Sequence, residues 1–178
     1  MGALENRPIS CHLLIPTEVQ CEYAGISQGE YYTDLEKTIE VQQVYPQRFY
    51  AATGYLPNVS YPTPVTGYEG IAALGGELVF PPDHQPMIRN QAHILESVEQ
   101  IDALQVPDPW QNARFLQNVA WHRELKRRFG DKAANGIAGM EGPVTMAVLL
   151  RGQDFFVDCA LDPRRAHHLM DVVTGMFI

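Results

Sequence analysis

Residues 133–150 read AANGIAGMEGPVTMAVLL, and this stretch carries the strongest local signal for the fold. An apolar run leads into a glycine-bounded turn with one acidic residue, Glu141, and Pro143 follows. Proline suits the first position of a helix, where its missing N–H costs no hydrogen bond. The pattern therefore predicts a buried strand, a turn and a helix over 143–150. Such turns lie at the carboxyl ends of strands in α/β proteins, where ligands bind, so Glu141 is the first candidate functional residue.

The composition is typical of an acidic soluble domain. The chain has 178 residues, of which 46% are hydrophobic and 19% charged, enough for one domain with a buried core. A net charge of −8 disfavours binding to nucleic acid or to an anionic membrane, so small molecules or proteins are the expected partners. No apolar run approaches the roughly 18 residues of a membrane span. Three cysteines without CxxC spacing indicate reduced thiols and a cytoplasmic location: Cys11, Cys21 and Cys159.

Strand and helix signals alternate in the first third of the chain. An apolar run at 8–15, closed by a proline, predicts a strand, and the turn-rich segment 16–32 predicts a long loop. A helix is expected over 33–53, and Pro46 should kink or divide it, because proline removes one backbone hydrogen bond. Residues 55–61 predict a second strand, with an irregular start at its proline.

The remaining elements continue this alternation. The patterns predict helices at 67–74, 97–104, 110–129 and 162–175, and a strand at 77–80. This order, together with the unit at 133–150, predicts an α/β fold with a parallel sheet or a βα barrel. A complete βα barrel needs about 250 residues, so only about the first half of one is expected here. The apolar end of the chain after Gly175 suggests truncation, although this glycine is also a plausible helix stop.

Five stretches, in their order along the chain, resemble the first half of the uroporphyrinogen decarboxylase superfamily. They are RPISCHLLIP (7–16), EYAGISQGEYYTDLEKTIEVQQ (22–43), the hairpin-like LGGELVFPPDHQPMI (74–88), SVEQIDALQVPDP (97–109) and GMEGPVTMAVLLRGQDFFVDCALDPRRAHHLMDVVTG (139–175). The Gly-x-x-Gly-Pro-x-Thr turn and the Asp-Pro before the last helix are the most telling. The resemblance implies a TIM-type βα barrel, with residues 1–178 as the N-terminal portion of a single barrel domain.

Two departures from the family pattern concern the substrate. True decarboxylases of this family typically carry an arginine-rich loop after the first strand and an aspartate at the end of the second strand. Residues 13–27 contain Glu18 and Glu22 but no arginine, and the predicted second strand ends in YPTP at 61–64. A porphyrinogen with many carboxylates would meet repulsion there. These departures favour the methyltransferase-like branch of the superfamily.

In that branch, the resemblance implies transfer of a methyl group between a small methylated substrate or a thiol and a corrinoid on a partner protein. It also implies a zinc ion, whose ligands lie in the second half of the barrel, so no metal ligand is assigned to this chain. Two alternatives remain open. One is uroporphyrinogen decarboxylation for haem synthesis; the other is a non-catalytic half-barrel or interaction domain that pairs with a second copy or a complementary chain.

Six residues are candidates for the site, and each also has a structural explanation. Glu141 and His12 are the candidate catalytic residues; the alternatives are helix capping or a dipole interaction for Glu141 and a hydrogen-bonded core position for His12. The substrate-binding candidates are Glu18, Glu22, Tyr61 and Thr145. The alternatives are a solvated loop position for the two glutamates and aromatic packing for the tyrosine.

Overall fold

The computed structural model describes residues 13–89 and 94–177, and helices predominate in these ranges. One two-stranded antiparallel sheet pairs β1, Leu78–Val79, with β2, Met87–Ile88. Short 3-10 helices cover Val98–Ala103, Pro109–Gln111 and Gly130–Lys132. The described α-helices are α1 (Thr17–Ala24), α2 (Gln28–Thr33), α3 (Leu35–Thr53), α4 (Glu69–Ala73), α5 (Ala113–Phe129), α6 (Pro143–Arg151), α7 (Asp154–Leu161) and α8 (Pro163–Gly175).

The long loop predicted for 16–32 is wrong, because this segment forms α1 and α2. Helix α1 ends at Gly25, whose φ of 74° is the left-handed conformation that glycine adopts without strain. Helix α2 begins with a capping box, in which Ser27 and Glu30 bond each other's backbone N–H groups. Both helices are short and pack against α3. Their stability therefore comes from tertiary packing that a weak sequence pattern does not reveal.

Helix α3 confirms the helix predicted over 33–53, but it is not divided at Pro46. The carboxylate of Asp34 accepts hydrogen bonds from the backbone of Glu36 and Lys37 and so begins the helix. Pro46 is buried inside the continuous helix. The face of α3 around Val41 and Phe49 packs in one apolar cluster with α1, and this burial offsets the lost hydrogen bond.

The predicted parallel strands at 55–61 and 133–140 do not form as regular strands. Two isolated bridges join these regions: Tyr61 pairs with Ala133 in parallel, and Tyr68 pairs with Met140 in antiparallel fashion. The strand at 77–80 and the hairpin-like stretch are confirmed as β1 and β2. In the predicted strand at 8–15, residues 8–12 lie outside the described ranges and 13–15 have no regular structure. The described residues therefore do not confirm a half-barrel.

The C-terminal helices enclose the largest apolar cluster. Helices α6 and α8 confirm the helices predicted from 143 and 162, and α8 buries Ala166, Leu169 and Val173 as expected. Residues 155–161, an apolar segment without a predicted structure, form most of α7. These helices pack with α4 and with the segment 94–103. None of the helices within the described ranges is long and apolar enough to cross a membrane.

Candidate functional site

Two turns from distant parts of the chain meet at the candidate site. The backbone N–H of Glu141 donates to the carbonyl oxygen of Gly67 at 3.0 Å, next to the bridge between Tyr68 and Met140. A Cβ at Gly139 would overlap the carbonyl oxygen of Thr66. The first glycine of the Gly-x-x-Gly-Pro turn is therefore required for the close approach of the two backbones.

Glu141 lies over this junction. A Cβ on Gly67 would be 2.6 Å from its Oε1 atom, so the carboxylate rests against the opposite turn. Helix α6 begins after Gly142 without a hydrogen bond from a capping side chain, so Glu141 does not act as its side-chain cap. Thr145, in the first turn of α6, is exposed. Both side chains are accessible, as contact with a ligand requires.

Glu69 is the acidic residue of this site that the sequence analysis missed. Its Oε1 accepts from the Thr66 backbone N–H at 2.6 Å, and its Oε2 accepts from the Thr66 hydroxyl at 2.9 Å. Its side chain is only 10% exposed. Burial raises the pKa of Glu69, although the bonds from Thr66 and the nearby Arg114 oppose the shift. The Thr-x-x-Glu spacing at 66–69 is a capping-box pattern that could have drawn attention to it.

Arg114 of α5 holds the loop that carries Thr66. Its guanidinium donates to the carbonyl oxygens of Tyr32 at 3.1 Å and Pro64 at 2.9 Å. The same group lies over the rings of Phe80 and Trp121. The positively charged guanidinium group is thus enclosed by aromatic rings and backbone carbonyls. Arg114 therefore ties α2, the 62–66 segment and the end of β1 to α5.

A cavity of about 360 Å³ opens beside Glu69. Most of its wall is apolar and includes Val106, Phe115, Met140 and Met176. Glu69 is the only ionisable side chain among the described residues that line it. A mainly apolar cavity with one fixed polar group is the usual form of a small-molecule site.

Glu18 lies near this site on α1, whereas Glu22 of the same helix points to solvent. Glu18 Oε1 accepts a hydrogen bond from Gln85, and its buried Oε2 has no partner within the described residues. Burial raises the pKa of Tyr32, and the charges of Glu18 and Glu69 add to the rise. Both carboxylates therefore lie within electrostatic reach of the Tyr32 hydroxyl. Glu22 is exposed and remains a candidate by its position alone.

Tyr61 is not among the described residues that line the cavity. The ring of Tyr61 stacks on Phe129 with centroids 3.6 Å apart, and its backbone bonds Lys132 and Ala134. This packing accounts for its position without a ligand, and its substrate-binding role stays a prediction. His12 lies outside the described ranges.

The zinc ion that the resemblance implies needs a cluster of ligand side chains. No group of three or more His, Cys, Asp and Glu side chains within 13–89 and 94–177 is placed to hold a metal ion. Burial raises the pKa of the Cys21 thiol to about 12, which disfavours the thiolate that zinc needs. Asp83 and His84 form a pair at 2.7 Å on an exposed turn. The part of the chain that the structure describes does not fit a zinc site, and no chemical step is assigned to one.

A family model described as uroporphyrinogen decarboxylase (URO-D) matches residues 15–178, so the chain belongs to the URO-D family. A solved methyltransferase from Methanosarcina mazei is similar in structure, with a TM-score of 0.63 and 18% sequence identity. The match covers 89% of this chain and 44% of that chain, so the protein spans less than half of the methyltransferase. No curated protein matches the chain in sequence. Together, the family and this neighbour imply a TIM-barrel fold.

Proposed function

We propose that the chain belongs to a methyltransferase of the URO-D family, which moves a methyl group between a small methylated substrate or a thiol and a corrinoid. The observation that carries this proposal is the cavity wall, where Glu69 is the only ionisable side chain among the described lining residues. A porphyrinogen substrate needs cationic partners for its carboxylates. This cavity instead suits a small, largely apolar ligand.

The surroundings of the cavity also favour the methyltransferase branch over the decarboxylases. Helix α1 carries Glu18 and Glu22, and it contains no arginine. Arg114, the cation closest to Glu69 in the site as described, is bonded to backbone carbonyls and buried between aromatic rings. The Methanosarcina mazei protein of similar fold is a methyltransferase, which supports the same interpretation.

In this proposal, residues 1–178 form the N-terminal portion of one barrel domain. The parallel bridge between Tyr61 and Ala133 supports it, because adjacent strands of a βα barrel run parallel. Zinc and a corrinoid on a partner protein would act in the complete barrel. We place this protein in the cytoplasm, with no role in nucleic-acid or membrane binding.

The proposed roles follow from the chemistry of methyl transfer to a thiol. The methyl carrier keeps the electron pair of the broken bond, and the thiol sulfur forms the new C–S bond after it loses its proton. Glu141 and His12 are proposed as the groups that accept this proton or orient the substrate. Glu18, Glu22, Tyr61 and Thr145 are the proposed substrate contacts.

The test uses the full protein encoded around this chain. We expect one zinc ion per chain by metal analysis, and zinc-dependent loss of the methyl group from methylcobalamin when a thiol is added. Release of carbon dioxide from uroporphyrinogen without added metal would instead establish the decarboxylase alternative. A distal His-x-Cys sequence followed by a later cysteine would further support the proposed reaction.

The exposed apolar face of α7 supports the second candidate, an interaction domain. Phe156 and Val157 are about half exposed, and Leu161 is 81% exposed. Such a face is typical of a surface that another chain or domain covers. Light scattering of the purified chain tests this candidate: a dimer or a complex with a complementary chain supports it, and a stable 20.0 kDa monomer contradicts it.

A further inference from the structure

A smaller cavity lies where helices α7 and α8 pack together. Its volume is about 100 Å³, and it shares no described lining residue with the cavity beside Glu69. One residue of α7 and four of α8 line it, namely Cys159, Pro163, Ala166, His167 and Met170. This cavity is therefore separate from the site of the proposed reaction.

The four residues of α8 lie on one face of that helix. They follow the spacing i, i+3, i+4 and i+7, and side chains with this spacing project from the same side of an α-helix. The Cβ atoms of residues three apart, such as His167 and Met170, are about 5–6 Å from each other. The neighbouring His168 instead bonds the carbonyl oxygen of Leu104 and is not among the lining residues. The imidazole of His167 and the thioether of Met170 therefore lie side by side at the cavity.

Cys159 supplies a thiol from the facing helix, α7. It is a free cysteine and is exposed. His167 is also exposed, whereas Met170 is partly buried against the apolar cluster of the C-terminal helices. Among the described residues, the lining contains no carboxylate, lysine or arginine. The groups at this cavity that can bind a metal ion are thus two sulfurs and one imidazole nitrogen.

This set of donors matches a soft metal ion. Thiolate and thioether sulfurs select Cu(I), and imidazole is also a copper ligand. Structural zinc sites instead use four ligands from thiolates, imidazoles and carboxylates, and a thioether is not one of them. Calcium and magnesium need oxygen ligands, which the described lining side chains do not offer. Copper(I) is therefore the ion that these three side chains fit best.

We infer that Cys159, His167 and Met170 bind one Cu(I) ion between α7 and α8. The Cys159 sulfur binds as the thiolate and its proton passes to solvent, so binding involves no electron transfer. The inference goes beyond the proposed function and does not depend on it. Failure of copper binding would leave the proposed methyl transfer in place, and failure of methyl transfer would leave the copper site in place.

Anaerobic titration of the 178-residue chain with Cu(I), in competition with the chelator bicinchoninate, tests the inference. We expect the chain to retain one equivalent of Cu(I) and to bind Zn²⁺ far more weakly at the same pH. This equivalent of Cu(I) should also protect Cys159 from alkylation by iodoacetamide. Peptide mass spectrometry distinguishes Cys159 from Cys11 and Cys21, so the measurement identifies the thiol that binds the ion.

Three variants test the ligands, and two serve as matched controls. Cys159→Ser should abolish binding of the first equivalent. His167→Gln and Met170→Leu should each weaken it at least about tenfold, because loss of even an outer-shell partner has an effect of this size. His84→Gln and Met87→Leu remove the same two ligand types at positions that do not line the cavity, and they should keep the wild-type affinity. Circular dichroism verifies that each variant is folded.

Four results would overturn the inference. They are absence of Cu(I) binding, equal affinity for Zn²⁺ and Cu(I), protection of Cys11 instead of Cys159 by the first equivalent, and equal affinities in Met170→Leu and Met87→Leu. If a ligand variant does not fold, alkylation of the wild-type chain decides the question without it.

Discussion

The Nε atom of Arg114 lies 4.0 Å from Oε1 of Glu69, and the two side chains are 15% and 10% exposed. Arg114 Nε is buried and has no hydrogen-bond partner within the described residues. The pair therefore interacts by charge across a short gap, without a direct hydrogen bond. Glu69 is among the residues that line the cavity, whereas Arg114 is not and contacts Glu69 from outside the lining.

Arg114→Met should destabilise the protein by about 2–4 kcal/mol, because the buried carbonyls of Tyr32 and Pro64 lose their donor and Glu69 loses its nearby cation. Urea unfolding measures the difference. Arg89→Met is the matched control, since Arg89 is half exposed and pairs only with Glu77 among the described side chains. It should cost less than about 1 kcal/mol. Equal losses in the two variants would contradict the supporting role of Arg114.

Gly139→Ala should destabilise the protein by about 2 kcal/mol or more, because the new Cβ overlaps the Thr66 carbonyl and forces the two turns apart. Gly136→Ala is the control, as a Cβ at that position meets no atom within 4 Å. Thermal unfolding should show a clear loss for the first variant and little change for the second. If Gly139→Ala unfolds like the wild type, the backbone of Gly139 does not lie as close to Thr66 as described.

The pH dependence of stability should report the buried carboxyl of Glu69. Burial raises its pKa from an ordinary value of 4.5, although the hydrogen bonds from Thr66 and the charge of Arg114 oppose the rise. Between 4.5 and the raised pKa, the unfolded chain loses this proton while the folded protein keeps it. The free energy of unfolding therefore falls as pH rises through this window, and it levels off above the raised pKa.

Glu69→Gln should remove this part of the pH profile, because glutamine does not titrate. Urea unfolding of both proteins across the acidic range gives the difference between the two curves. The wild type should lose stability relative to the variant as pH rises from 4.5. A difference that is constant with pH would show that Glu69 ionises as readily when folded as when unfolded, and a difference of opposite sign would show that folding lowers its pKa.

Asp158→Asn should destabilise the protein by about 3 kcal/mol, because it removes the buried carboxylate that pairs with the buried guanidinium of Arg151. The two side chains meet at 2.8 Å, and Arg151 also donates to the carbonyl oxygens of Leu95 and Glu96. Asp154→Asn is a close control, since Asp154 is exposed and 3.4 Å from the same arginine. Asp154→Asn should have little effect on urea unfolding. A loss of stability as large as that of Asp158→Asn would show that the buried and the exposed carboxylate contribute equally.

Glu141→Gln should leave the fold intact and weaken substrate binding in the full enzyme, because it removes a charge at the junction of the two turns. We expect a several-fold rise in KM, corresponding to about 1 kcal/mol for one charged contact. Glu40→Gln, at an exposed salt bridge on α3, should leave KM unchanged. Wild-type binding and turnover in Glu141→Gln would assign this carboxylate to local structure.

The sequence predicted the elements whose signals are local. Helices α6 and α8 begin at the prolines and end near the glycines that predicted their boundaries. Asp34 caps α3, and β1 pairs with β2 in a hairpin, as their patterns indicate. The family resemblance was likewise visible in short motifs, and the family match over residues 15–178 confirms it. These features depend on backbone conformations that a few neighbouring residues set.

Helices α1 and α2 and the site around Glu69 depend on contacts between distant segments. The two helices are short, and packing on α3 rather than their own sequence pattern stabilises them. Glu69 looks like an ordinary helix-start acid in the sequence, and only the approach of α5 and the 139–141 turn buries it. By itself, the sequence determined the family and the turn at Glu141. Tertiary structure alone decided which carboxylate is buried beside a cavity, because burial is a property of the packed chain.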